Sequence, residues 1–544
     1  MPRTFVLLLF ALAATASAQQ HRTDASGGPL SAVALDPGLG PLHHSVSTRN
    51  PQAQAYFDQG LKLVFAFNHD VAIKSFQRAA ELDPDLAMAH WGIALSLGPN
   101  INLPMDADAH RAAYAEVQKA LTLKSRASVA ERAYIDALAT RYSANADADQ
   151  QPLQIAYKNA MQDLAHRYPS DVDAAVLYAE SLMDLRPWKW WTPDGKPAES
   201  TLEIVNVLER ALAQHPDHIG ANHYYIHAIE GSQHPEKALP AAKRLEKLAP
   251  AAGHLLHMSA HIYIRTGNYP EAARVNEAAV RADEALAKSA EVSFYRIAYY
   301  GHNLHFLAVY NALAGDSARA IAAANKLYAH SERWIREVTQ LDFFMVTPAM
   351  VLIQFERWDD ILALPEPAFE VPLTGVIWRF ARTLAFAAKN ELAAAAIERG
   401  TFLKDAQSLP KNIEFGNNNS GAVIAVARLY LEGRLAFVRG DIPGAITWLR
   451  NAVIAEDALA HDDPPAWYLS SRQALGAAMM RARDFGAAEK IYREDLERNP
   501  ENAHALFGLQ AALAAQGRHR EAGALQKRID HAWRAADVKL GTAM

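Results

Sequence analysis

The sequence predicts an all-α fold in which helical hairpins stack one on the next into a solenoid. Two observations carry this. Alanine is spread throughout, glycine (27) and proline (27) are confined to short punctuation within 544 residues, and apolar residues recur at the spacing of a helix face. The second is repetition: a frame of small and aromatic residues in 55–84 returns several times downstream. Each copy reads as a helix, a tight turn and a second helix that cannot bury its apolar face alone, so neighbours must stack.

In AYFDQGLKLVFAFNHDVAIKSFQRAAELDP, counted as a 34-residue unit, Tyr56 takes position 4, Gly60 position 8, Ala72 position 20, Phe76 position 24, Ala79 position 27 and Pro84 position 32. This resembles the tetratricopeptide repeat (TPR), and the resemblance implies a tetratricopeptide-like helical-hairpin solenoid wound as a right-handed superhelix. Residues 472–500 repeat the frame with Leu475, Gly476, Ala488, Tyr492 and Pro500, and Gly517 with Ala522 opens another unit. Weaker copies are anchored by Gly440/Ala445, Gly315/Ala320, Gly267/Ala272 and Ala238/Pro250.

Taken in order, residues 1–18 (MPRTFVLLLFALAATASA) hold one basic residue, Arg3, an apolar run from Phe5 to Ala14 and the small residues Ala16-Ser17-Ala18, and are expected to be a removed export signal. The run is too short to span a bilayer comfortably, and no cysteine follows to carry a lipid. The chain is therefore expected to be exported, periplasmic if its source is Gram-negative, with no membrane span. Residues 19–50, including His43 and His44, read as an extended or poorly ordered arm. N-terminal helical repeats follow at 51–184, and an aromatic, Pro-containing loop at 185–200 leads to Thr201 as a helix cap. A His-rich middle array occupies 201–361, a helical segment with Pro- and Asn-rich loops 362–421, and C-terminal TPR repeats 422–544.

The absence of cysteine excludes disulfides, thiolate nucleophiles and thiolate metal sites. Any metal must be held by His, Asp, Glu or water. A net charge of -6, or -7 once Arg3 leaves with the signal, is not the footprint of a nucleic-acid binder. Gly-rich phosphate loops, G-x-S-x-G elbows and H-E-x-x-H are all lacking, so no catalytic motif is recognised.

The histidines stand out, because 10 of the chain's 22 fall between residues 215 and 305. In HLLHMSAHIYIRTG, Gly267 at position 15 puts His254 at 2, His257 at 5, His261 at 9 and Arg265 at 13. These positions lie opposite the side that clasps the partner helix. By the TPR resemblance that opposite side lines a concave, ligand-holding groove. In the preceding unit His223 and His227 take positions 5 and 9 with Glu230 at 12, and in the following one His302 and His305 take 2 and 5.

A single helical histidine is ordinarily hydrogen-bonded or solvated, but seven at matching register positions predict a shared pocket. Residues three or four apart on a helix have Cβ atoms about 5–6 Å apart, and packed helices run about 8–10 Å between axes. Imidazoles from adjacent helices can therefore meet on one ion. The expected ligands are His223, His227, His257, His261 and His305, with His254, His302 and Glu230 as further ligands or their supports. An all-His or His/carboxylate shell suits Zn, Cu or Fe, as well as Ni, rather than Ca or Mg. Around it, Tyr295 and Tyr299 share a face with His302, and Trp188, Trp190 and Trp191 form either a lid or a loop docked on the solenoid. His69 and His90 read as structural.

The stretches FNHDVAIKSFQRAAELDPDLAMAHWGIALSLGPNIN, RPWKWWTPDGKP, NHYYIHAIE, HMSAHIYIRTGNYPEAARVNEAAV and HNLHFL, with residues 461–509, resemble a large family of bacterial tetratricopeptide-repeat proteins over about 50–535. The resemblance implies the fold and no activity. Ser259 stands where the family pattern implies proline, and Arg379 where it implies histidine.

The functional expectation is an exported ligand-binding protein with a His-lined pocket for a transition metal, used for storage, delivery or metal-assisted chemistry on a small molecule. The alternative is a metal-free scaffold that grips a peptide or protein partner in the groove, with Arg265 and the imidazoles as donors.

Overall fold

Helical periodicity becomes helix almost everywhere in the computed structural model, which describes residues 33–541 apart from 193–194, 288–292, 369 and 411–412. The expected export signal (1–18) and the first part of the arm (19–32) lie outside the described residues. Contacts divide the chain into two units, formed by the described residues of Met1–Ile262 with Ala278–Tyr300, and of Tyr263–Glu277 with Gly301–Met544. The division falls inside the His-rich stretch 201–361, so His302 and His305 belong to the second unit and the other candidate histidines to the first.

The first unit comprises α1 (Pro51–Phe65), α2 (His69–Leu82), α3 (Ala87–Leu97), α4 (Ala107–Leu123), α5 (Val129–Ala139), α6 (Gln150–Arg167), α7 (Val172–Asp184), α8 (Thr201–Gln214), α9 (Ile219–Glu230) and α10 (Leu239–Leu248). Helix α11 (Gly253–Arg265) belongs to this unit up to Ile262 and α12 (Tyr269–Ala287) from Ala278 onward, and the described part of the unit resumes in a π-helical turn, Tyr295–Tyr299. Consecutive helices pack as hairpins. Their starts are chemically marked: Asn50 accepts hydrogen bonds from the Gln52 and Ala53 amides with Pro51 behind it, and Ser128 with Glu131 forms a reciprocal capping box. Between hairpins, Phe76 lies where a Cβ at Gly60 or Gly92 would come within 2.6 Å or 2.5 Å of its ring, so only glycine admits the aromatic there.

The second unit continues with α13 (Tyr300–Leu313), α14 (Ser317–Glu332), α15 (Asp342–Met345), α16 (Thr347–Gln354), α17 (Trp358–Ala363), α18 (Pro372–Ala388), α19 (Leu392–Ser408), α20 (Ser420–Val438), α21 (Ile442–Asp457), α22 (Ser471–Arg481), α23 (Phe485–Arg498), α24 (Ala503–Ala515), α25 (His519–Ala524) and α26 (Gln526–Ala532). A two-residue β-hairpin pairs Glu414–Phe415 with Asn418–Asn419. Both units are all-α stacks of TPR-like hairpins.

One turn geometry recurs. Five residues before a buried small or aliphatic residue (Ala72, Ala272, Ala320, Ile361, Ala395, Ala445, Ala488, Ala522) stands a residue with positive φ: Phe67, Gly267, Gly315, Glu356, Asn390, Gly440, Arg483 or Gly517. At four of the eight it is glycine, the residue that meets no Cβ penalty in this region. The Glu356 turn lies in the stretch read as middle repeats and the Asn390 turn in the segment read as helical with Pro- and Asn-rich loops, and neither hairpin has a repeat anchor in the sequence analysis.

The arm, expected to be extended or poorly ordered, is described from residue 33 onward. Its described residues form a strap tied down along its length: Asp36 N–H donates to Gln59 (2.8 Å), His43 Nδ1 meets Asp58 (2.7 Å), His44 Nδ1 meets Asp173 (2.7 Å), and Ser47 N–H donates to Glu131 (2.6 Å). Among the described residues no helix is long and apolar enough to cross a membrane.

Candidate metal centre

Helix α9 is buried on every side. It therefore carries His223, His227 and Glu230 into the interior. Helix α11 presents His254, His257 and His261 along one face, and all five imidazoles are at most 3 % exposed. The register places these rings in a concave pocket, and in the structure aromatic side chains from three other segments pack over them.

Hydrogen bonds fix which ring atoms point at one another. His223 Nδ1 donates to the Phe65 carbonyl at 2.6 Å, across 158 residues of sequence. Glu230 takes His227 Nδ1 on one carboxylate oxygen at 2.8 Å and His261 Nδ1 on the other at 2.6 Å. With Nδ1 engaged in this way, each of the three rings offers Nε2 as its remaining nitrogen, as metal-ligating histidines do. His223 Nε2 lies 3.2 Å from His254 Nε2, and His257 Nε2 lies 2.9 Å from His261 Nε2. Bonds of about 2.0–2.1 Å to zinc set tetrahedral ligand atoms roughly 3.4 Å apart. The ligand atoms of His223, His227 and His254 all lie within 4.8 Å of one another. Each Nε2 pair closes as an N–H···N hydrogen bond when one ring carries the proton, and around a metal ion when neither does.

Electrostatics favour ligand-ready forms. Burial, reinforced by the neighbouring His227, holds the His223 pKa well below 6.5, so its ring is neutral. Burial alone would raise the Glu230 pKa, but His261 and His227 outweigh it and bring the carboxyl down to about 2. Glu230, expected as a ligand or its support, is thus an ionised bridge that orients two imidazoles.

The surrounding shell is aromatic. Phe67 sits in the left-handed region with φ 56°, and its ring lies 4.6 Å from His223, 5.3 Å from His254 and 6.1 Å from His227. Trp188 meets His227 edge-on at 5.2 Å. Its loop is docked rather than raised as a lid: Trp190 donates to the Met183 carbonyl and Trp191 to the Ala228 carbonyl near the end of α9. Tyr299 stands edge-on to His254 at 4.9 Å, and the Tyr295 hydroxyl accepts the His254 amide at 2.9 Å while donating to Asp283. Both tyrosines come from the π-helical turn, a distortion frequently found at functional sites.

His305, in the second unit, packs against Phe344 at 5.3 Å, and burial lowers its pKa to about 3. His302 packs on Phe306 in the same unit. Arg265 lies at the end of α11 in the second unit, near Tyr269. Arg379 is held by Glu366 and Glu398, and Ser259 donates to the Ala242 carbonyl. His90 pairs with Glu116.

Two contributors carry no mark in the local sequence spacing. The Phe65 carbonyl and the Phe67 ring come from the turn of the first hairpin, which α1 brings against α9: a Cβ at Gly220 would lie 2.6 Å from the Phe65 ring. His69, read as structural, packs 6.3 Å from Phe67. A phenylalanine where other hairpins place glycine was the available signal.

No family model matches the sequence, and no curated protein matches it. Among solved structures, distant similarity links it to the human IFIT1 dimer with m7Gppp-AAAA (12 % identity, 90 % of this chain and 91 % of that one, TM-score 0.33) and to yeast Tom70 (13 %, 89 % and 100 %, TM-score 0.32). It also links the chain to the APC/C Cut9–Hcn1 hetero-tetramer (14 %, 90 % and 78 %, TM-score 0.30).

Proposed function

We propose that this is a metal-binding helical-repeat protein whose first unit holds a transition ion, Zn, Cu or Fe, among His223, His227, His254, His257 and His261. The observation that carries the reading is the single buried carboxylate of Glu230, which engages two Nδ1 atoms and orients both rings. A His-rich shell of this kind stores or delivers the ion, or uses it as a Lewis acid toward a bound small molecule. Export, expected from residues 1–18, belongs to the same proposal, and N-terminal sequencing of secreted protein tests it.

Metal analysis of protein purified without an affinity tag is the first experiment. Near-stoichiometric metal is expected, together with a fall in melting temperature on chelation and loss of metal in a His257→Ala/His261→Ala double variant. Substoichiometric metal with an unchanged melt rejects the reading. The alternative, a metal-free scaffold that grips a peptide or protein partner in the same groove, predicts instead that a bound partner protein is retained after chelation.

A further inference from the structure

The strap from Asp36 to Thr48 reaches the beginnings of both helices that carry the imidazoles. At one end, Gly38 accepts the Ala251 amide at 3.0 Å, just ahead of α11. Gly40 (φ 96°) lies so close that a Cβ there would sit 2.8 Å from the Leu248 carbonyl and 3.4 Å from Ile219, the first residue of α9. Further along, His44 Nδ1 donates to one oxygen of Asp173 at 2.7 Å. The other oxygen of Asp173 takes His218 Nε2 at 2.8 Å.

His218 is the cap of α9: its Nδ1 accepts the Ala221 amide at 3.0 Å. Because Nδ1 accepts, Nε2 keeps the ring proton and donates it to Asp173. This settles between two readings of the cluster. His44, Asp171 and Asp173 have the donor types of a metal site, but the neighbouring His218 nitrogen is protonated, and Asp171 is occupied by the Ala174 amide and the Tyr134 hydroxyl. The cluster is a hydrogen-bonded clamp. Consistently, hydrogen bonds from His218 and His44 hold the Asp173 carboxyl well below its ordinary range against the opposing effect of burial.

We propose that Asp173 is a positioning residue for the metal centre, fixing the strap to the cap of α9 while the strap fixes the lead into α11. The two helices that supply all five imidazoles are thereby held at one separation. The affinity arm of the test rests on the metal reading; the exchange arm does not. In the full chain, Asp173→Asn is expected to weaken zinc binding, read by competition with a chromophoric chelator, about tenfold or more, the usual effect of removing an outer support. It is also expected to speed amide exchange at Ala221 and, across the strap, at Ala251.

His44→Ala, which releases the strap without touching α9 or α11, carries the same expectation and serves if Asp173→Asn does not fold. His218→Asn keeps a capping acceptor but cannot span to Asp173. It should therefore preserve protection at Ala221 and still weaken zinc binding. Parent-like zinc affinity and parent-like Ala251 exchange in both Asp173→Asn and His44→Ala overturn the proposal. If the parent itself takes up no zinc, the metal reading fails, and faster exchange at Ala251 in these variants still supports the clamp.

Discussion

Phe67 holds a backbone conformation that costs a residue with a Cβ about 1–2 kcal/mol. Burying its phenyl ring contributes about 1.5–3 kcal/mol, enough to sustain it. A glycine would satisfy the turn and leave three imidazoles without their common neighbour, so the side chain is retained for the site. Glu230 acts by charge as well as shape. Glu230→Gln keeps its size but holds two imidazoles less firmly, and metal affinity should fall about 10–100-fold in a competition titration. Unchanged affinity would mean that the carboxylate has no orienting role.

At the scale of the element, the recurring left-handed turn separates what the sequence displays from what it conceals. Hairpins closed by Gly267, Gly315, Gly440 and Gly517 are legible because the turn's demand is written as glycine. Those closed by Glu356 and Asn390 are hidden, since they carry neither a turn glycine nor the glycine–aromatic frame that reveals the hairpins closed by Phe67 and Arg483. Arg483 offers a clean test because it is exposed at φ 62°. Arg483→Gly should stabilise by about 0.5–1 kcal/mol, the relief of the left-handed conformation less glycine's extra entropy in the unfolded chain. A raised denaturant midpoint at constant slope checks it; a lowered one shows that the arginine contributes interactions beyond the turn.

Across the whole molecule, buried neutral imidazoles set the response to acid. Burial lowers the His69 pKa to about 4 and that of His305 to about 3. Below about 6.5 the unfolded chain takes up protons that these folded sites refuse, so stability falls as pH drops through that window. For His69 the loss reaches on the order of 2 kcal/mol by pH 5. His44 works in the opposite sense: despite burial, Asp173 raises its pKa, so its contribution is present below 6.5 and fades as pH rises through the folded value. Urea midpoints of chelator-treated protein should therefore be lower at pH 5 than at pH 7.5, with the gap narrowed in His69→Gln. An equal midpoint at both values would contradict neutral burial.

The same scale explains why the centre was only partly readable. Register on α9 and α11 brought His223, His227, His254, His257 and His261 into view, since position within a hairpin repeats with the sequence. The Phe65 carbonyl, Phe67 and the strap come from the start of the chain, and no local spacing announces that they meet α9.

Repeat arrays in which each hairpin touches only its neighbours can be shortened or extended unit by unit. The bond between His223 and the Phe65 carbonyl, spanning 158 residues, denies the first unit that freedom. Excising its opening hairpin would strip a ring in the interior of its acceptor, so this half of the protein cannot be trimmed from the front as modular arrays are. During synthesis, the imidazole nest is completed only after α11 has emerged.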